Sequence, residues 1–261
     1  MSERVTVERE DNVLLVGIAR PEKRNAFDLA MLEQLGGAYE TAADDPEVRA
    51  VVLFPHGDHT SAGLDLAEVG AFVQARGPRA LSGGKRFDPF GLWGPPLPKP
   101  VVMACCGISF TVAVELALAS DIVVAADSVR FRQLEVARGI VPFGGATMRA
   151  PARLGWGNAM KLLLTGGEVD AAEALRIGLV QEVVPHGAHV ARAREIARLV
   201  AEQAPLAVQA TLANARVAAE RGEQAATEHL VSLLPALMQS EDAREGVQSF
   251  LERRQGRFRG R

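Results

Sequence analysis

Between Val101 and Ala126 the chain reads VVMACCGISFTVAVELALASDIVVAA, and Glu115 and Asp121 are the only carboxylates in those 26 residues. Glu115 follows a strand-like run, a turn at Gly107 and the start of an apolar helix. A carboxylate in such surroundings loses hydration, and burial can raise its pKa by up to ~3–5 units. A general acid or base working near neutral pH needs that shift. The same periodicity also allows a glutamate on the polar side of the helix, or one paired with an arginine. A second carboxylate, Glu135, lies 20 residues further on in VRFRQLEVARGIVPFGG, with Arg130, Arg132 and Arg138 as candidate ion-pair partners. The third feature is TSAGLDL, Thr60 to Leu66, which follows the apolar run AVVLF after PHGDH. A glycine in a strand-to-helix turn can leave backbone N–H groups free to face an anion or a polarised oxygen.

Other signals are weaker. His56-Gly-Asp-His59 and His186-Gly-Ala-His189 lack a helical i, i+4 frame and read as loops, so no metal site is expected. Gly84-Lys85-Arg86 lacks the upstream glycine and the Ser/Thr of a phosphate-binding loop. Ser109 falls between strand and helix, as a hydrolase nucleophile would, but the closing glycine is missing. The adjacent Cys105 and Cys106 read as small buried hydrophobes in a reducing compartment.

The elements that must position these residues alternate along the first ~185 positions, as in a layered α/β arrangement. Val5–Glu8, Val13–Ala19, Ala50–Phe54, Lys99–Cys106, Ile122–Ala126 and Leu179–Val184 read as strands. Asp28 is placed to cap a helix with Leu32, Leu35 and Tyr39 on one face. Residues 71–98, rich in Gly and Pro, read as a long loop with at most a short helix at its start. Phe87, Phe90 and Trp93 give that loop apolar mass. From His189 onward, Ala-, Glu- and Arg-rich segments with helical spacing predict three helices and a fourth between them. Their apolar stripes, such as Leu230, Leu233, Leu234 and Leu237, exceed what one helical layer buries, so self-association is expected.

The chain has 261 residues, 29 Lys+Arg against 32 Asp+Glu and a formal charge of −3. That balance, with few aromatics, argues against nucleic acid as a partner. The charged N-terminus reads as no secretory signal, and the longest uncharged stretch, Val101 to Val114, is well short of the ~20 residues of a membrane span. A cytoplasmic protein is expected. The segment FLERRQGRFRGR carries five Arg against one Glu, which suits a solvated tail or an approach to a phosphorylated ligand.

Taken in order, these segments resemble the crotonase (enoyl-CoA hydratase/isomerase) family. The resemblance runs through RPEKRNAFD at 20–28, SAGLDL at 61–66, residues 99–126, FRQLEVARGIVPFGGAT at 131–147, residues 164–185 and EDAREGVQSFLERR at 241–254. It implies an α/β fold: a crotonase-like ββα spiral core over 1–188 and a C-terminal helical trimerisation region over 189–261. Trimers or dimers of trimers are implied with it. By the same resemblance the ligand is an acyl-CoA thioester, with coenzyme A part of the substrate and no other cofactor. Glu115 and Glu135 correspond to the family's hydratase carboxylates. The backbone N–H groups of Leu64 and Val112 correspond to its oxyanion hole. Arg24, Ala26, Ala62, Asp65 and Leu66 would line the CoA, and Phe87, Phe90, Trp93 and Phe143 the acyl pocket. The implied reaction is addition of water across a 2-enoyl-CoA double bond, with enoyl-CoA isomerisation, another crotonase reaction or acyl-CoA binding alone as alternatives. Two positions depart from the family. Its commonly glycine-rich helix start is Thr111-Val112-Ala113 here, and Phe143 stands where a small residue is common.

Overall fold

The computed structural model describes residues 3–82 and 84–261. Two strands, β1 (Val5–Glu10) and β2 (Val13–Ile18), form an antiparallel hairpin, and α1 (Leu29–Asp44) follows. As its position suggests, the Asp28 side chain caps α1 by accepting from the Met31 N–H at 2.8 Å. β3 (Ala50–Pro55) then pairs parallel to β2. α2 runs from Leu66 to Arg76, and its last six residues are the short helix allowed at the start of 71–98. Its last turn, AFVQAR, contains no breaker, and the helix stops only at Gly77, whose φ is 76°.

The spiral begins at β4 (Val101–Cys105), which joins the main sheet. β5 (Ile108–Phe110) leaves it for a smaller sheet, and α3 (Val112–Ala119) closes the turn. β6 (Ile122–Ala126) and β7 (Arg130–Arg132) repeat the exchange between sheets before α4 (Ala146–Leu154) and α5 (Trp156–Thr165). β8 (Val169–Asp170), α6 (Ala171–Arg176) and β9 (Glu182–Val184) complete it. The main sheet has the order β1-β2-β3-β4-β6-β9, parallel after the first hairpin, and the smaller one the order β5-β7-β8. This is the crotonase-like ββα spiral the resemblance implies.

The main core packs between the two sheets and the spiral's helices, around Phe27, Met31, Leu35, Leu53, Met103, Leu116 and Phe131. The other face of the main sheet is covered by α7 (His189–Ala201), through Ala193, Ala197 and Ala201 against Val13, Val52, Ala104 and Val124. The packed core therefore extends past the expected division at 188/189, because α7 alternates small apolar residues at helical spacing. Beyond it lie α8 (Pro205–Arg221), α9 (Glu223–Gln239) and α10 (Glu241–Glu252), the helices expected from the composition. They pack mainly on one another and leave Leu230, Val231, Leu234, Met238, Val247, Phe250 and Leu251 exposed.

Candidate active site

The site grows from one register. Residues 59–64 and 106–112 run side by side in parallel, with Ser61 opposite Ser109, Ser61 N–H donating to the Ile108 carbonyl at 3.0 Å and Phe110 N–H to that of Ser61 at 2.9 Å. Carried forward, that register sets Gly63 beside Thr111 and Leu64 beside Val112. The first of these contacts is direct: a Cβ on Gly63, whose φ is 108°, would lie 2.4 Å from Thr111 Oγ1. Leu64 is held from its other side, since Phe27 N–H donates to the Gly63 carbonyl and Asp65 N–H to the Phe27 carbonyl, both at 2.8 Å. The Leu64 N–H is thereby spared, and among the described residues it has no acceptor. Val112 opens α3, so its N–H has no partner within the helix, and none outside it among the described residues.

Thr111 makes that second donor available at a cost. Its φ of 48° and ψ of −100° place a β-branched residue where glycine is the usual occupant, a strain of order 1–3 kcal/mol. Glycine takes such a conformation freely; here surrounding contacts impose it, including the Thr111 N–H bond to the Arg132 carbonyl at 2.8 Å. The Val112 side chain is 2% exposed and belongs to the main core.

Glu115 lies one turn further along α3, 3% exposed. Its Oε1 accepts from the Gly144 N–H at 2.7 Å and the Ala146 N–H at 3.3 Å, across the turn that starts α4. Glycine at 144 leaves room for this carboxylate, because a Cβ there would stand 2.3 Å from Glu115 Oε2 and displace it. Burial, and secondarily the charge of Glu135, push the Glu115 pKa up from its ordinary 4.5 to about 7, against the opposing pull of those N–H groups and of Arg149. Glu135 begins a short 3-10 turn, Glu135–Arg138, and is 8% exposed. Burial raises its pKa too, and its Oε2 has no hydrogen-bond partner among the described residues. The two carboxylates thus converge from different segments. Among the described residues neither is spent on the ion pairs that the sequence also allowed: Arg130 pairs with Glu168, and Arg132 donates to the Gly166 carbonyl.

Leu64, Val112, Glu115, Phe90, Trp93 and Phe143 line one narrow cavity of about 10 Å³, close to the space one water needs. Asp88, Leu81, Pro78 and Gly144 complete its wall. Phe87 is elsewhere: it is buried in the main core, with the Arg86 guanidinium 4.6 Å from its ring centre. Of the positions expected along CoA, Arg24, Ala62 and Leu66 are exposed and Ala26 half-buried. They lie together, since the Ala62 N–H donates to the Arg24 carbonyl at 2.9 Å. The Asp65 carboxylate is occupied by Arg20, 3.0 Å away. Ser109 is fully buried and donates to Thr60 Oγ1, a structural role.

Three features of the site escaped the sequence reading. Asp88 accepts from the N–H groups of Phe90, Leu92 and Trp93 and so shapes the aromatic wall; DPFG is a turn signature that could have flagged it. The grip of Gly144 and Ala146 on Glu115 and the approach of Arg149 are contacts distant in sequence, with only the paired glycines before α4 as a hint.

The enoyl-CoA hydratase/isomerase family profile matches residues 8–261. Carnitinyl-CoA dehydratase of Citrobacter koseri is 35% identical, and 2,3-dehydroadipyl-CoA hydratase of Escherichia coli K12 33% identical, each alignment covering 100% of both chains. Among solved structures, a Mycobacterium abscessus protein titled a probable enoyl-CoA hydratase/isomerase superposes with a TM-score of 0.93 at 50% identity, covering 99% of each chain. Enoyl-CoA hydratase of Mycobacterium tuberculosis H37Rv superposes with a TM-score of 0.88 at 31% identity, again over 99% of each. With the ββα spiral, the paired glutamates and a family match over nearly its whole length, the chain belongs to the enoyl-CoA hydratase/isomerase family of the crotonase superfamily.

Proposed function

We propose that this protein adds water across the 2,3 double bond of an enoyl-CoA thioester and, in reverse, removes it from a 3-hydroxyacyl-CoA. The observation that carries this reading is the pair Glu115 and Glu135, two buried carboxylates with raised pKa values, Glu115 lining the cavity and Glu135 near enough for its charge to help raise the Glu115 pKa. Ionised Glu115 takes a proton from a water as its oxygen bonds to C3. The electrons of the double bond move toward the thioester, whose oxygen is held by the Leu64 and Val112 N–H groups, and Glu135 delivers a proton to C2. Two aimed N–H donors stabilise the enolate, the costly species on this path. CoA lies along Arg24, Ala26, Ala62 and Leu66, and Phe90, Trp93 and Phe143 wall the acyl group. No cofactor besides the CoA of the substrate enters these steps. The names of the two curated relatives, a dehydratase and a hydratase of CoA thioesters, agree with this direction of chemistry. A panel of enoyl-CoA esters, followed by loss of the conjugated absorbance, tests it. Turnover of at least one ester is expected; binding of the whole panel without turnover would leave an acyl-CoA-binding protein instead.

Assembly is part of the proposal. The exposed apolar faces of α9 and α10 are suited to a second copy of the chain, in a trimer or a dimer of trimers. Sedimentation at micromolar concentration should give a trimer or hexamer, and a monomer would contradict it. Among the described residues no helix is long and apolar enough to cross a membrane. A reducing, cytoplasmic setting suits the two buried free thiols, Cys105 and Cys106.

A further inference from the structure

Arg149 lies in the first turn of α4, and the steps above do not use it. The two ends of its guanidinium do different things. Nη2 donates to the Gly91 carbonyl at 3.1 Å, in the loop whose Phe90 and Trp93 wall the cavity. Nη1 is buried and has no hydrogen-bond partner among the described residues. It packs against Gly145, 2.4 Å from where a Cβ would stand, and beside Leu92. A buried cation without a bonded carboxylate is costly, so its placement calls for a compensating role. Gly145 is the middle of the turn whose flanking N–H groups, those of Gly144 and Ala146, hold Glu115. The cation therefore stands directly behind the grip on Glu115.

The charges around this point are few. Glu115 feels Glu135 from the 3-10 turn and Arg149 from α4. Arg149 in turn feels Asp88 of the loop, Glu115, and Glu220 and Arg216 of α8, and it acts on Arg153 one turn further along α4. Asp88 and Arg149 fasten the same loop from two sides, the first through three backbone N–H groups and the second through a carbonyl.

We propose that Arg149 is a positioning residue for the hydration reaction: one end of its guanidinium fastens the acyl-pocket loop at Gly91, and the other sets a positive charge behind the turn that holds Glu115. The acyl wall and the turn that holds the base are then tied to one side chain. This rests on Glu115 acting as the base, as proposed above.

Arg149→Met and Arg149→Lys separate the two roles. The measurements are kcat and KM against pH, and a ¹³C NMR titration of the Glu115 carboxyl in the substrate-free protein, assigned by its loss in Glu115→Gln. Removing a nearby cation disfavours the carboxylate, so Arg149→Met should move the Glu115 titration and the acid limb of kcat up, by roughly a few tenths of a pH unit since burial and Glu135 weigh more. Arg149→Lys keeps the charge and should leave both near their wild-type positions. A single ammonium replaces the planar fork, so both variants should raise KM, by roughly five- to tenfold for one lost hydrogen bond. A Glu115 titration unmoved in Arg149→Met overturns the electrostatic role, and an unchanged KM in both variants overturns the fastening. If Arg149→Met does not fold, Arg149→Gln supplies the neutral side chain. The titration needs no turnover, so a wild type inactive on every ester would defeat the hydratase reading while the NMR still decides on Arg149.

Discussion

Glu115→Gln should lower turnover about 10²–10⁴-fold, the usual contribution of a positioned general acid or base, while making the protein more stable at pH 8. The amide oxygen can still accept from Gly144 and Ala146, so the turn before α4 stays in place. What disappears is the carboxylate that takes the water proton. The stability change has the opposite sign because burial works against the ionised form. With a pKa of about 7 in the folded chain against an ordinary 4.5, Glu115 keeps its proton to higher pH when folded than when unfolded. Stability therefore falls as pH rises between those values and is level above them. Relative to the same comparison at pH 4, the glutamine variant should gain about 3 kcal/mol at pH 8. Urea unfolding at the two pH values measures it, and an equal difference at both would show that Glu115 titrates normally. Glu135→Gln should cost turnover by a similar factor. It also removes a like charge, so the acid limb of its residual activity should move to lower pH.

Gly63→Ala should cost roughly 10²–10³ in kcat/KM, the usual loss for one oxyanion donor, although the Gly63 N–H is itself spent on Ser61 Oγ at 3.0 Å. A methyl group there would meet Thr111 Oγ1 at 2.4 Å, on a backbone whose φ of 108° already excludes most side chains. The two segments must part, and they carry the Leu64 and Val112 N–H groups. Gly70→Ala is the matched control. It adds the same methyl group within α2, where nothing lies within 4 Å, and should leave activity unchanged. If both variants keep wild-type kcat/KM, the paired register does not govern the reaction.

Some of this was legible in the residues alone. Strands such as Ala50–Pro55 and Ile122–Ala126 announce themselves because apolar runs bounded by turn residues leave little choice, and Asp28 caps α1 for a local reason. The short helix allowed at the start of residues 71–98 is the end of α2, which runs on to Arg76 because the glycines and prolines begin only at Gly77. Glu115 stood out as one of two carboxylates in an apolar stretch, but periodicity could not place it beside Glu135. That took the family resemblance, and in the structure the charge of Glu135 acts on the buried Glu115. Phe87 was assigned to the pocket by its neighbours Phe90 and Trp93, yet it turns into the core, since neighbouring loop residues point in different directions. Arg149 carried no local signal at all. Its position depends on Gly91 and Gly145, 58 and 4 residues away, and on a turn visible only once α3 and α4 are packed.

The central claim is that Glu115 and Glu135 direct the addition of water to C3 of an enoyl-CoA. It is tested most directly by running the reaction in H₂¹⁸O and following the product by mass spectrometry. A single ¹⁸O should appear in the β-hydroxyl of a 3-hydroxyacyl-CoA, at a rate reduced about 10²–10⁴-fold in Glu115→Gln and in Glu135→Gln. A product with a displaced double bond and no added oxygen, or label incorporated equally fast by both variants, would contradict it.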